Sequence, residues 1–276
     1  MPSAVVSFEI RDVFDNQVTT FTGTASLSSD SPSMFFDTSA AGPFDGSITS
    51  VSITGGAGSF FFQDTTAGSP TIAVASGTLT TANQTQTITS ASANQLVFTS
   101  AAKTVIAGQP STVVNFEVQD ASNNLVPTFN GTVDLSSLSP TMRFDSSAVG
   151  PFDGTITTAS ITSGTGTFFF RDTTTGIQDV TISATGLNSA TQNQTITPDT
   201  ETQLVITSVA QTVVAGQASG AVTFEIWDQF GNQNTAFTGT ANLSSDSATT
   251  VFDTSPTGPF SGSIGSVGII GGAGVF

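Results

Sequence analysis

The chain has 276 residues, 20 of them acidic and only four basic, and its formal charge of −16 repels phosphate backbones and anionic membrane surfaces, which excludes nucleic acid as an expected partner. It contains no Cys, His or Tyr, so a disulfide framework, thiol nucleophiles, imidazole bases and His/Cys zinc sites are excluded together. No apolar run approaches the length of a membrane span, and Met1-Pro2-Ser3 opens on a polar segment without the parts of a signal peptide.

The loop Gly-Pro-Phe-Asp-Gly at Gly42–Gly46 returns unchanged at Gly150–Gly154 and as Gly-Pro-Phe-Ser-Gly at Gly258–Gly262. Pro43, Pro151 and Pro259 are thus 108 apart, since 151 − 43 and 259 − 151 agree, and a period of that size is one small domain. In chain order, Val6, Phe8 and Ile10 occupy alternate positions, as do Val114, Phe116 and Val118, and Val222, Phe224 and Ile226. This alternation predicts a strand with one face on a core. Turns follow at Asp12–Gln17, Asp120–Leu125 and Asp228–Gln233, where Asp, Asn and Gly tolerate left-handed backbone. Phe21, Gly23, Ala25 and Leu27, with their counterparts Phe129–Leu135 and Phe237–Leu243, predict the second strand.

A short strand is expected to end at Phe36-Asp37, Phe144-Asp145 and Phe252-Asp253. The next carries Val51 and Ile53, Ala159 and Ile161, or Val267 and Ile269. A Gly-containing hairpin then leads into Phe60-Phe61-Phe62 and Phe168-Phe169-Phe170, whose outer two rings share one face while Phe61 and Phe169 point the other way. Ile72 and Val74, like Val180 and Ile182, start a further strand, and Ile88 and Ile196 belong to the last. Polar joints at Ser90–Asn94 and Pro198–Thr202 precede openings at Leu96-Val97-Phe98 and Leu204-Val205-Ile206. The expected architecture is all-β: tandem immunoglobulin-like β-sandwich modules in an elongated rod, with modules at 1–90, 94–198 and 202–276. By the register, residue 1 aligns with Gln109 and Phe276 with Phe168, so the first module is expected to lack its opening strand and the third its last strands. A window on a longer array is the plain expectation, and strand exchange in a fibre the sharper one.

Ala215–Gln233 and its counterpart Ala107–Leu125 resemble the opening of bacterial Ig-like repeats of the invasin/intimin and giant-adhesin type, and Thr167–Gly186 is similar to their closing strands. The resemblance implies an extracellular stalk or adhesive fibre on a prokaryotic surface. It implies no ligand site. The expected function is a non-enzymatic spacer or adhesion protein, with a loop-mediated carbohydrate or protein adhesin as one alternative and accessory repeats of a large exported enzyme as another. Expected partners are neighbouring modules and other copies in a fibre.

Carboxylates carry what chemistry remains. Asp37 with Asp45, or Asp145 with Asp153, has the makings of a glycosidase pair, but Ser261 replaces the second acid in the third copy, which favours loop structure. No cofactor is expected; Ca2+ is the one candidate, with Glu9, Asp12, Asp15, Asp199 and Glu201 as weak ligand candidates. Asp15 becomes Asn123 and then Gly231, which would remove a ligand, so turn capping is the stronger reading. The four Asn-x-Ser/Thr triplets at Asn83, Asn130, Asn193 and Asn242 are read as unmodified surface. Phe61, Phe169 and Trp227 are candidate assembly contacts, because outward aromatics either cover a strand edge or meet a neighbour.

Overall fold

The computed structural model describes residues 1–276, and the chain is built of β-strands with no helix. No helix is therefore long and apolar enough to cross a membrane. The first repeat contains β1 (Val6–Glu9), β2 (Gly23–Ser29), β3 (Phe35–Asp37), β4 (Ser50–Ile53), β5 (Ala57–Gln63), β6 (Thr71–Ala75) and β7 (Ala82–Thr85). They form two antiparallel sheets, ordered β1-β5-β3 and β4-β2-β6-β7. Ala25, Leu27, Phe36, Val51, Ile53, Phe60, Phe62 and Ile72 from both sheets close one core, which makes the repeat an immunoglobulin-like sandwich.

The second repeat runs through β8 (Gln95–Phe98), β9 (Thr104–Ile106), β10 (Val114–Gln119), β11 (Gly131–Ser136), β12 (Arg143–Asp145), β13 (Thr158–Thr162), β14 (Thr165–Arg171), β15 (Gly176–Ser183) and β16 (Ala190–Thr197). Its strands join in one path, β8-β10-β14-β13-β11-β15-β16-β9, with β12 on β14. The third repeat carries β17 (Glu201–Ile206), β18 (Thr223–Asp228), β19 (Gly239–Asn242), β20 (Ser266–Ile269) and β21 (Ala273–Val275). The residues group into two compact units: Met1–Gln95 with Glu117–Asn130 and Thr162–Gly164, and Leu96–Phe116 with Gly131–Ile161 and Thr165–Phe276.

One ring cluster repeats with the 108-residue period. Phe36 meets Phe60 edge-on at 5.6 Å, Phe144 meets Phe168 at 5.8 Å and Phe252 meets Phe276 at 5.7 Å. Phe8, Phe116 and Phe224 complete the trios at 6.4, 6.1 and 6.4 Å. Edge-to-face packing at these separations is the favoured geometry for aromatic quadrupoles. The alternation in the Phe runs is as expected: Phe60, Phe62, Phe168 and Phe170 are buried, while Phe61 and Phe169 are half-buried.

Four strand expectations need correction. Gly55-Gly56 (φ +61 and +71) makes the expected tight turn, but in the first repeat its arms pair only at Thr54 and Ala57 and then enter different sheets. Each arm has a stronger partner, β4 with β2 and β5 with β1. Residues Phe252-Asp253 form no strand, because β3 and β12 pair with the far half of the Phe run and β21 ends at Val275. Ile88 lies beyond β7, its backbone joined by a two-way bridge to Gly68 and its side chain packed against the core, whereas Ile196 is inside β16. Finally, Leu96–Gly108, expected to provide one opening strand, holds two: β8 beside β10, and β9 parallel to β16 on the opposite edge.

Candidate functional site: the joints between repeats

The turn after the first core strand is built alike in all three copies. Asp15, Asn123 and Gly231 sit at φ 69, 65 and 84°, a left-handed position that Asp, Asn and Gly tolerate better than other residues. The change from Asp to Asn to Gly is therefore a conformational series. On either side of it, an Asp and an Asn four residues later stay fixed: Asp12 and Asn16, Asp120 and Asn124, Asp228 and Asn232.

In the first unit, Asp120 is 1% exposed. Its Oδ1 accepts hydrogen bonds from the N–H groups of Ser122 (2.8 Å) and Asn124 (3.0 Å), and its Oδ2 from the linker N–H of Ala91 at 2.8 Å. The Asn124 amide reaches the preceding repeat, donating from Nδ2 to the Thr65 carbonyl at 2.8 Å and accepting at Oδ1 from the Ala67 N–H at 2.8 Å. Asn124 Nδ2 also lies 3.0 Å from Asp120 Oδ2, so the two side chains form one clasp around linker and turn.

The second unit repeats the arrangement. Asp228 is fully buried; it accepts from Phe230 N–H (2.8 Å), Asn232 N–H (2.9 Å) and the linker N–H of Asp199 (3.0 Å). Asn232 donates to the Thr173 carbonyl at 2.8 Å and accepts from the Thr175 N–H at 3.1 Å. Phe230 adds an apolar contact, its ring lying against Gly108, where a Cβ would come within 2.3 Å. The gripped turns are braced from their own side: Asp64 accepts from Thr66 N–H and the Ser33 hydroxyl, and Asp172 from Thr174 N–H and the Thr141 hydroxyl. The remaining oxygen of each, Asp64 Oδ2 and Asp172 Oδ2, is buried without a partner.

Burial alone would push the Asp120 carboxyl up. The side chain and N–H of Asn124, with the N–H groups of Ala91 and Ser122, outweigh it and hold the group at about 2. Asp228 is lowered in the same way, with burial opposed by the Asn232 side chain and N–H and by the N–H groups of Asp199 and Phe230. Asp12 makes the same local bonds, to the N–H groups of Phe14 and Asn16 at 2.9 Å each, but is exposed and grips nothing beyond its own loop.

The residues singled out from sequence fall at and around these turns. Glu9 and Asp15 both pair with Arg11, at 3.0 and 3.1 Å, on an exposed surface. Asp199 offers its N–H to Asp228 and accepts at Oδ2 from Gln229; Glu201 accepts from Asn234 at 3.1 Å. The five Ca2+ candidates thus lie in two separate places, and no group of three or more acidic side chains comes together. Trp227 is half-buried, its Nε1 bonded to Glu225 at 2.7 Å. Asp37 and Asp145 are buried caps for Ser39 and Ser147, and Asp45 and Asp153 cap Ser47 and Thr155. Asn16, Asn124 and Asn232 fall in the turns expected from sequence, but the reach of Asn124 and Asn232 into the preceding repeat was not expected; the signal was an Asp-x-x-x-Asn pair kept in every copy while the residues between drift.

No family model and no curated protein sequence matches this chain. Solved structures similar to it include invasin, titled a bacterial integrin-binding protein, at 13% identity and a TM-score of 0.35, covering 87% of this chain and 46% of that one. Domains 4 and 5 of the S-layer protein SbsC are similar at 16% identity and a TM-score of 0.28, covering 68% and 78%. A β-glycosidase from Bacteroides vulgatus is similar at 13% identity and a TM-score of 0.34, with 69% of this chain covering 24% of the glycosidase.

Proposed function

We propose that this chain is a non-enzymatic structural protein of a prokaryotic cell surface, a stalk or fibre component whose sandwiches serve as spacers and whose joints set the spacing. The observation that supports this is the joint itself, used twice with the same two side chains: Asp120 with Asn124, and Asp228 with Asn232, each bind the linker and the Thr-Thr turn of the repeat before. Buried hydrogen bonds across a linker resist bending in a way that a free polar linker does not. The acids best placed for hydrolytic chemistry are instead bound into their own turns.

Antibodies raised against the chain are expected to label intact source cells from outside, and brief external proteolysis to remove the label; label appearing only after cell breakage contradicts the surface assignment. Turnover of any glycoside by the purified chain contradicts the non-enzymatic one. An adhesive role has one observation in its favour, the exposed pair Val13 and Phe14 (92% and 82%) at a loop tip. Carbohydrate or protein binding that is lost in Phe14→Asp would support that reading.

A further inference from the structure

Of the four basic residues in the chain, two face each other: Arg143 on β12 and Arg171 on β14 are register partners across an antiparallel pair. Like charges in directly opposite places destabilise a sheet. Neither guanidinium has an acid to offset the other, since both ion pairs of the chain are made by Arg11. The first repeat has Phe35 and Gln63 at the same two places, and the third has Val251 at the first of them.

Bracing the Gly150–Gly154 loop does not account for the pair. Arg171 does lie over the Phe152 ring, 5.0 Å from its centroid, and donates to the Pro151 carbonyl at 3.1 Å. Yet the loop keeps the same shape without arginine. Phe44 and Gly46 have φ 45 and 83° against 49 and 86° at Phe152 and Gly154, and both Phe side chains are buried.

The stem of Arg143 runs along Gly154, where a Cβ would come within 3.1 Å of its Cδ. Its Nη1 donates to the carbonyls of Pro140 and Met142 at 2.9 and 2.7 Å. Nε and Nη2 are left without a protein partner, and together they form the edge that a carboxylate meets with two parallel bonds. Beside Arg143 opens a groove of about 350 Å3, lined by Leu135, Met142, Phe144, Asp153, Ile156 and Thr157. Leu135, Met142 and Phe144 are buried and give it an apolar floor, while Asp153 and Thr157 are exposed and give it a polar rim. Asp153 uses Oδ1 to cap Thr155, which leaves Oδ2 as an acceptor.

We propose that this groove binds a uronic-acid residue of a polysaccharide whose carboxylates are spaced by neutral sugars. The carboxylate sits on the Nε–Nη2 edge of Arg143, with Arg171 as the second positive charge beside it. The apolar face of the sugar ring packs on Met142 and Phe144, and its hydroxyls donate to Asp153 and Thr157. Spaced charge follows from the net −16, which repels a densely charged polyanion beyond the contact itself. An acidic peptide offers no ring hydroxyls to Asp153 and would leave that charge facing its own. The site adds a ligand to the spacer role and does not depend on that role.

The three arginines of the chain give three Nε–Hε resonances, so NMR titration of the whole labelled chain tests the site directly. The probes are tetrasaccharides of hyaluronan and of rhamnogalacturonan, each alternating a uronic acid with a neutral sugar. With one or both, the Arg143 and Arg171 signals are expected to shift saturably while that of Arg11, already paired, stays still. A neutral N-acetylglucosamine tetramer is expected to shift none of them. Arg143→Phe installs the first-repeat residue, so it keeps the fold, and it should weaken binding about tenfold or more. Arg171→Gln, likewise the first-repeat residue, weakens binding less, and Arg11→Gln leaves it unchanged. The proposal is overturned if neither acidic sugar gives a saturable shift at millimolar concentration, if binding survives Arg143→Phe, or if hexaglutamate binds as tightly as the sugars.

Discussion

Asp12, Asp120 and Asp228 are one residue in three settings, and the difference between them isolates what a joint adds. Each accepts the N–H groups two and four positions on, but only Asp120 and Asp228 also accept a linker N–H and are buried. Asn124→Ala leaves Ala67 N–H and the Thr65 carbonyl without a partner and removes the side-chain bond to Asp120 Oδ2, which keeps the Ala91 N–H. At roughly 1 kcal/mol per net bond, the first joint should lose about 2–3 kcal/mol, read as cleavage at Ser90–Asn94 by a protease that is at least about tenfold faster. Asn16→Ala should cost about 1 kcal/mol or less, since Asn16 bonds only within its own loop.

The same comparison fixes a pH dependence. Asp120 is held at about 2 when folded, below its ordinary value near 4, so its contribution of roughly 2 kcal/mol is present above about pH 4 and is lost as pH falls through 2. Linker cleavage by an acid-stable protease should rise over that window in the parent chain, and Asp120→Asn should remove most of the pH dependence at the first joint while leaving it at the second. The Asp and Asn positions are legible in sequence because every copy keeps them. Their burial is not, because it depends on Ala91 and Thr65, far back in the previous repeat.

At the level of the strand, apolar alternation carried most of the information. It marked Val114, Phe116 and Val118 on one face, and all three are at most 1% exposed. What it could not convey is which strand lies beside which. The arms around Gly55-Gly56 read as a plain hairpin, yet β4 and β5 belong to different sheets, a choice made by the partners β2 and β1. The three residues of β9 are too few to show a period, and their partner lies about 90 positions on. Glycines at element positions have a packing reason that sequence hints at only through repetition. Gly58, Gly166 and Gly274 lie under Phe8, Phe116 and Phe224, where a Cβ would come within 2.4, 2.3 and 2.2 Å of a ring carbon. Gly166→Ala must therefore displace Phe116 from the ring trio. It should destabilise the second repeat by about 1–3 kcal/mol, seen as a lower denaturation midpoint with an unchanged slope. Phe116→Ala should cost about 3–5 kcal/mol, and Phe8→Ala less, because Phe8 is only half-buried.

Across the whole molecule, the ring trios recur with the period of 108 residues. The polar joints are hydrogen-bonded clasps with buried carboxylates, a feature that polarity alone did not convey. The account stands on those clasps being closed in solution. Hydrogen exchange measured by NMR on the whole chain at neutral pH tests this most directly, through the amides of Ala67, Ala91, Thr175 and Asp199, each of which donates to a clasp residue. The account predicts that all four exchange at least about a hundredfold more slowly than in an unstructured peptide. Exchange of these four at the unprotected rate, while amides of β5 and β14 stay protected, would contradict it.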